Sequence, residues 1–439
     1  MKWKNDAGRT LIGTMAGRIG CDVSILGRVD EIRDLGGVSF LMVTDRSGTC
    51  QIVADPYLDI PSIQSIVKVS GTVAASEKAP GGFEMAAKNL LIVSEPVREM
   101  PFNPARIPTP LKEGGPNLET VLNHRGLSLR AQSCQAVARV TSQALRAVEN
   151  FFHERDFTEI KTSKLVGGGT EGGSGMFEVK YFERIAYLAQ SPQLYKQALA
   201  TTPLERVFEI GPVFRAEKFA TGRHINEFTG IDTEISYPEG MHDLMDLEED
   251  LLNAVIEHLA GKCGREIAAL CTTLPRINGE IPRLELDRVK EILTGVKPSR
   301  LKPAEDLSPD EERLICEWSA REYGCDAVFV HSFPTGRRPF YTMPQENRKK
   351  SQSFDLILRG LEISSGCIRI HKADQLIQNI EKQGLKPESL KAYLEIFQFG
   401  CPPHGGFGLG LERLVQKLLD LPNIRHATLF PRDRNRLEP

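Results

Sequence analysis

Two arginines and a histidine crowd one short stretch of the chain. Phe208-Glu209-Ile210-Gly211-Pro212-Val213-Phe214 is an apolar run with a Gly-Pro break, and Arg215-Ala216-Glu217 comes directly after it. Arg223-His224-Ile225-Asn226-Glu227-Phe228 stands a few residues later. Facing each other across a hairpin loop, Arg215, Arg223 and His224 would clamp a polyphosphate, because guanidinium pairs bidentately with phosphate oxygens. A salt-bridged surface hairpin would use the same residue types. Gly405-Gly406-Phe407-Gly408-Leu409-Gly410-Leu411-Glu412-Arg413 is a second candidate. Its glycines let backbone approach a flat ligand closely at a strand–helix junction. Arg413 falls in the first helical turn, where a cation opposes the helix dipole, so a role other than helix stability is expected of it. Gly167-Gly168-Gly169-Thr170-Glu171-Gly172 matches G-x-G-x-x-G in form only. Phe177–Phe182 just beyond it alternates like a strand and no Gly-Lys-Ser/Thr is present, so it is neither a dinucleotide fingerprint nor a P-loop. A carboxylate there suits an ammonium group better than a phosphate. Ser191-Pro192-Gln193-Leu194-Tyr195-Lys196, taken alone, is a helix start.

The elements that must position these residues divide into a β-rich start and a mixed remainder. Val23, Ile25, Gly27 and Val29 alternate with polar positions, and Val38–Val43, Cys50–Ala54, Ile66–Val73 and Phe83–Val93 continue in short strands between turns. That spacing predicts a small antiparallel barrel of the OB-fold kind or a plain sandwich. Residues 1–103 carry 11 Lys/Arg against 12 Asp/Glu, so charge does not choose between them. The prolines between Pro96 and Pro116 predict a linker over 104–129. From residue 130 to 439 strands and helices mix without βαβ alternation, which predicts an α+β domain. Helices are expected from near Arg130, with Val137, Val140, Ala144, Val148 and Phe151 on one face, over Met241–Leu259 and over Leu409–Leu419.

The chain has 439 residues, 41% hydrophobic and 26% charged, with net charge −3, which excludes a disordered or purely electrostatic nucleic-acid binder. Nine cysteines, none in a C-x-x-C pair or with zinc spacing, predict free thiols and no structural metal. No apolar run is long enough to span a membrane and the first residues lack a signal-peptide core, so a cytoplasmic protein is expected.

Together the stretches resemble the class II aminoacyl-tRNA synthetases. "FRAE…RHINEF" looks like motif 2, "GGFGLGLERL" like motif 3, and "FTEIKTSKL" like motif 1. Within the class, "TEGGS", "SPQLYKQ", "FDLILRGLEISSG", "RIH" and "NIRHATLFPRDRNRLEP" are similar to the compact, archaeal-type aspartyl enzymes. The resemblance implies an N-terminal OB-fold for the anticodon, an antiparallel-sheet catalytic domain, a homodimer built on motif 1, and ATP with Mg²⁺.

The resemblance also implies residue roles. Arg215 and Arg413 would be catalytic, stabilising charge on phosphate. Arg215, Ala216, Glu217, Arg223, His224, Ile225, Phe228, Glu362, Gly410, Leu411, Glu412 and Arg413 would line the ATP site, with Phe228 and Arg413 sandwiching adenine. Glu362 and Ser365 would hold Mg²⁺. Glu171, Gln193, Leu194, Tyr195, Lys196, Arg215, Ser365 and Arg369 would bind aspartate, with Glu171 at the ammonium and Lys196 and Arg369 as cations for the side-chain carboxylate. Phe40, Gln51, Asp30 and Pro80 would meet the anticodon.

The sequence departs from the family pattern at Ser163 in motif 1, where a proline is usual, and at Ile368 before Arg369. Relatives that reject tRNA-Asn carry Trp at the Asp30 position and Lys at the Pro80 position, so aspartylation of both tRNA-Asp and tRNA-Asn is expected, with an amidotransferase downstream. A strictly tRNA-Asp-specific enzyme, an asparaginyl enzyme and a noncatalytic tRNA-binding paralogue are the competing functions. Unpaired cations at Lys196 and Arg369 would favour aspartate over asparagine, and retention of Arg215, Arg223 and Arg413 speaks against the paralogue.

Overall fold

The computed structural model describes residues 8–107, 116–168, 175–218, 221–296, 305–346 and 349–438. The chain divides into two units, Met1–Pro108 and Thr109–Pro439.

In the first unit the alternating apolar residues close a five-stranded barrel. Strands β1 (Asp22–Asp34), β2 (Ser39–Asp45), β3 (Gly48–Ala54), β4 (Ile66–Ala75) and β5 (Phe83–Ser94) run around it in the order β1-β2-β3-β5-β4. All pairs are antiparallel except β3–β5. Val23, Ile25, Val29, Leu41, Val43, Ile52, Val67, Val69 and Met85 fill its interior, with Ile12 and Met15 packed into the same core. The pairing of β1 with β2 steps from Val29↔Val43 to Glu31↔Met42, which leaves Asp30 as the extra residue of a bulge. A bulge re-aims the side chain it carries.

The second unit is built on an eight-stranded sheet. Its strands are β6 (Thr158–Glu159), β10 (Arg206–Phe214), β11 (Glu227–Ser236), β12 (Arg283–Glu285), β13 (Ala327–His331), β14 (Ser353–Leu358), β15 (Leu361–Ile368) and β16 (His404–Gly410), in the order β12-β13-β14-β15-β16-β11-β10-β6. The five pairings of the middle are antiparallel and only the two edge pairings are parallel. A small sheet of β7 (Leu165–Val166), β9 (Arg184–Leu188) and β8 (Glu178–Tyr181) stands apart from it.

Among the helices, α1 (Leu118–Asn123) and α2 (Arg125–Ser128) precede α3 (Gln132–His153), α4 (Gln193–Ala200), α5 (Met241–Lys262) and α6 (Gly264–Ala269). They are followed by α7 (Leu286–Val296), α8 (Pro309–Tyr323), α9 (Ala373–Lys382), α10 (Lys391–Gln398) and α11 (Leu411–Leu418). Helices α3, α5 and α11 bury their apolar stripes with Phe208, Ile231, Phe329, Phe354 and Phe407 of the large sheet. That leaves the other sheet face open for polar residues. Among the described residues no helix is long and apolar enough to cross a membrane.

Two expectations change. Within the expected linker 104–129, the end is helical: α1 and α2 belong to the second unit, and buried Arg125 donates to the Leu429 carbonyl (2.6 Å) and the Thr428 carbonyl (2.8 Å). The helix expected from Leu409 begins at Leu411, because Leu409 and Gly410 still pair with Ile231 and Gly230.

Candidate active site

A cavity of about 440 Å³ opens on the sheet face away from α3 and α5. Period-two alternation builds its floor. On β11, Ile231 and Thr233 turn into the protein, while Phe228, Gly230 and Asp232 line the cavity. β16 lies alongside with Gly408 opposite Asp232 and Gly406 opposite Glu234. A Cβ on Gly408 would stand 3.1 Å from the Asp232 carboxylate, and one on Gly406 would stand 2.5 Å from that of Glu234. These glycines clear space for two acids of the neighbouring strand, a role the expected approach to a flat ligand does not include.

Asp232 and Glu234 are half of a buried ionic quartet. Lys196 Nζ donates to Asp232 Oδ1 (2.8 Å) and to the Phe407 carbonyl (3.0 Å), and lies 3.7 Å from Glu234. Arg369 grips Glu234 bidentately through Nε (2.8 Å) and Nη2 (2.9 Å), and its Nη1 meets Cys367 Sγ at 2.7 Å. Burial alone would raise the Glu234 carboxyl, but Arg369 and Lys196 more than reverse this and hold it below the usual range. Two cations face two anions, so Lys196 and Arg369 are not the bare cations the sequence suggested, and the charge argument against a neutral amide substrate fails on that ground. His404, fully buried beside the quartet, is kept neutral by burial and donates from Nδ1 to the Pro402 carbonyl at 2.9 Å.

Helical geometry sorts the neighbours of Lys196. Gln193 and Lys196 share one face of α4; Gln193 lines the cavity and Lys196 lies just beneath it. Leu194 packs instead with the cluster around Phe340 and Tyr393, and Tyr195 is exposed. Neither side chain lines the cavity. Glu171, the expected ammonium partner, lies outside the described residues, as does most of its glycine-rich turn.

At the other end of the cavity, Arg215 leaves β10 as the loop to β11 begins. Its backbone N–H donates to the Asn226 carbonyl (2.9 Å), and Asn226 Nδ2 returns bonds to the carbonyls of Arg215 (2.7 Å) and Glu217 (3.1 Å). The loop is therefore stapled from within. The Arg215 guanidinium sits 5.6 Å from the Phe228 ring, and its Nε is buried with no partner among the described residues.

Arg413 donates to the Glu362 carbonyl at 2.8 Å, and its guanidinium lies 3.7 Å from the Glu362 carboxylate. Arg223 is ion-paired with Glu312, which also accepts from the Glu362 N–H at 2.9 Å. His224 and Ile225 line the cavity, and burial and Arg413 lower the His224 pKa. Glu217 and Gly410 line it too. Ala216 does not, its N–H being committed to the Gly175 carbonyl, and Leu411 is in the core. Glu412 accepts from the Thr229 N–H (3.1 and 3.0 Å), and burial pushes its carboxyl up to about 7, so it anchors β11.

Ser365 and Asp355 are register partners on β15 and β14, and Arg338 joins them. It pairs with both Asp355 oxygens (3.0 and 2.6 Å), donates to Ser365 Oγ (3.2 Å) and stacks 3.7 Å over Phe333. Burial and the neighbouring Asp355 push the Glu362 carboxyl up to about 7. Asp232, Glu234, Asn226, Glu312, Arg338 and Asp355 went unread in the sequence. The first two carried a signal: acids at i and i+2 in a strand, flanked by Ile231 and Ile235.

On the barrel, Phe40 and Gln51 both face outward from β2 and β3, and Gln51 Nε2 donates to Glu84 at 2.8 Å. Asp30, turned by its bulge, is hydrogen-bonded with Thr44 and Gln64, while burial raises its carboxyl. Pro80 is exposed at the start of the Pro80–Gly82 turn.

Residues 117–434 match the family model described as tRNA synthetases class II (D, K and N), and residues 23–93 match an OB-fold nucleic acid binding domain. The aspartate–tRNA(Asp/Asn) ligase of Thermus thermophilus is 42% identical over 98% of this chain and 100% of its own. The aspartate–tRNA(Asp) ligase of Pyrococcus horikoshii is 39% identical over 95% and 96%. A crystal structure of asparaginyl-tRNA synthetase from Pyrococcus horikoshii, complexed with asparaginyl-adenylate, superposes with TM-score 0.88 at 30% identity, covering 98% of this chain and 99% of that one. The antiparallel sheet, the stapled arginine loop and these matches agree: the chain belongs to the class II aminoacyl-tRNA synthetases of the D, K and N group, with an OB-fold at its N-terminal end.

Proposed function

We propose that this chain is an aspartate–tRNA ligase that forms aspartyl-adenylate from aspartate and ATP and passes the aspartyl group to the 3′ end of tRNA. The observation that carries the reading is Arg215, whose backbone is stapled to Asn226 at the cavity wall and whose guanidinium Nε is buried and lacks a partner among the described residues. A buried donor left unpaired costs roughly 1–3 kcal/mol, which a bound anion recovers.

The aspartate α-carboxylate attacks the α-phosphorus of ATP and pyrophosphate leaves. The terminal ribose hydroxyl of tRNA then attacks the adenylate carbonyl and releases AMP. Arg215 meets the charge on the α-phosphate, and Phe228 and Arg413 hold adenine between a ring and a planar cation. No side chain need act as a nucleophile, and positioning supplies much of the rate. Glu362 and Ser365 offer the hard oxygen donors that Mg²⁺ takes. Glu362, whose carboxyl is pushed up beside Asp355, gains from a dication there. Magnesium, when bound, neutralises phosphate charge.

Aspartate rather than asparagine is favoured by the 42% identical relative, whose name is an aspartate ligase. With the quartet internally neutral, the choice between carboxylate and amide falls to the residues around it: Arg369 Nη1, which meets only a thiol, and Gln193, whose Nε2 is buried without a partner among the described residues. ATP–pyrophosphate exchange with each amino acid in turn tests the reading. Exchange with asparagine alone would reverse it.

The ligase accepts tRNA-Asn as well as tRNA-Asp. Asp30 is engaged within the barrel and Pro80 offers no donor, so neither excludes the wrong third anticodon base. Phe40 stacks on an anticodon base and Gln51 reads an edge. The enzyme works in the cytoplasm as a homodimer; the dimer is supported by the exposed apolar residues Leu165, at the end of motif 1, Ile185 on the small sheet and Phe182 in its turn. An amidotransferase completes Asn-tRNA-Asn.

A further inference from the structure

The cavity end that holds the ionic quartet contains a group the adenylation chemistry leaves idle, the thiol of Cys367. Cys367 and Arg369 stand two residues apart and so share a face where β15 ends. Both line the cavity although they are only 4% and 3% exposed. Space around the sulfur comes from small neighbours, since the register partners of Cys367 are Ser353 on β14 and Gly406 on β16. Ile368, the departure between the two, packs instead in the core shared with α5.

Arg369 carries its N–H donors in a fixed fork. Glu234 takes Nε (2.8 Å) and Nη2 (2.9 Å), and the Cys367 sulfur takes Nη1 (2.7 Å). The thiol proton is turned elsewhere: Sγ donates to Thr342 Oγ1 at 3.5 Å. Thr342 is kept in place by its antiparallel bridge with Arg369. The sulfur lone pairs are thereby left to the guanidinium. The two edges of Arg369 are thus held with unequal strength. A carboxylate makes a charge-assisted bidentate bond, whereas thiol sulfur is a weak acceptor. Glu234 fixes the arginine, and Cys367 is readily displaced from Nη1 by an oxygen anion.

We propose that Cys367 is a positioning residue for the substrate side chain: it holds Arg369 Nη1 toward the cavity in the empty enzyme and yields that N–H to the side-chain carboxylate of aspartate. This rests on the ligase reading, in which Arg369 meets that carboxylate. A weak acceptor suits the task. No acceptor would leave a buried donor unpaired, and an oxygen would compete with the substrate.

The test is ATP–pyrophosphate exchange by Cys367→Ser and Cys367→Ala in the full chain. Serine keeps the shape but accepts more strongly, so the KM for aspartate should rise by about tenfold. Alanine removes the competitor and leaves Nη1 unpaired until substrate arrives, so the KM for aspartate should fall by about threefold while the melting temperature drops. The KM for ATP should stay constant in both. A thiol that only supports the pocket gives a raised KM for aspartate in both variants, more so in alanine. That order overturns the proposal, and so does an unchanged KM in the serine variant. A further measurement uses the unmodified protein and methyl methanethiosulfonate. Attack by the Cys367 thiolate forms a methyl disulfide on the sulfur and releases methanesulfinate. Aspartate at about ten times its KM should slow this labelling of Cys367 by about tenfold, read by peptide mass spectrometry. Labelling of exposed Cys21 and Cys271 should not change. Equal rates at Cys367 with and without aspartate overturn the proposal. The serine variant and the labelling decide the matter if the alanine variant does not fold. Exchange of the unmodified protein with asparagine alone is a different result: it removes the ligase reading itself.

Discussion

Arg215, half-buried at the cavity wall, and Lys196, buried just beneath the cavity, are cations of one site, and the structure gives them opposite circumstances. Arg215 waits for an anion, so Arg215→Ala should lower ATP–pyrophosphate exchange by roughly 10²–10³ while leaving the melting temperature nearly unchanged, as loss of one transition-state donor does. Lys196 is already committed to Asp232 and Glu234. Lys196→Leu should therefore cost about 3–5 kcal/mol of stability in denaturant unfolding, because it strands a buried carboxylate. In whatever folds, the KM for aspartate should rise more than that for ATP; equal rises would make Lys196 a purely structural residue. The sequence made Arg215, Glu362 and Arg413 legible because the motifs have fixed order and spacing. It hid the partners of Lys196 and Arg369. Asp232 and Glu234 become their counter-ions only once β11 lies beside β16, and no local pattern announces a contact between residues 135 positions apart, such as Arg369 and Glu234.

At the scale of elements, α5 carries an oddity into the core. Glu248 is fully buried, and burial, with Asp355 nearby, pushes its carboxyl up to about 8 from 4.5. The folded state thus prefers this acid protonated. Its contribution is at full strength below about pH 4.5, where both states hold the proton, and is lost progressively as pH rises toward 8. Glu362 and Glu412, each near 7, act in the same direction. Glu248→Gln, which mimics the neutral acid, should flatten the decline in unfolding free energy between pH 5 and 8 relative to the unmodified chain. A parallel decline in the variant would mean that Glu248 is ionised in the folded protein. The strands of the barrel and helices α3 and α5 were readable from periodicity. The Asp30 bulge was not, since an extra residue in one strand shows only against its partner's register.

At the scale of the whole molecule, the OB-fold match and the synthetase match fall on different units, so on the proposed reading tRNA choice can be altered without touching the cavity. Side-by-side aspartylation of purified tRNA-Asp and tRNA-Asn at one stated salt concentration should show less than a hundredfold preference, under about 2.8 kcal/mol. Asp30→Trp combined with Pro80→Lys should widen that preference by about tenfold while pyrophosphate exchange stays constant. The strand order β15-β16-β11 has a consequence for how the protein is made. Synthesis proceeds from the N-terminus at roughly 5–20 residues per second. The strand that fills the middle of the catalytic sheet therefore leaves the ribosome after every other strand of that sheet. Until His404–Gly410 arrives, β11 and β15 each hold out a row of unsatisfied backbone groups, the kind of edge on which nascent chains aggregate. A message truncated shortly before His404 would therefore yield neither a weakened enzyme nor a smaller one, but a chaperone client with an open slot through its centre.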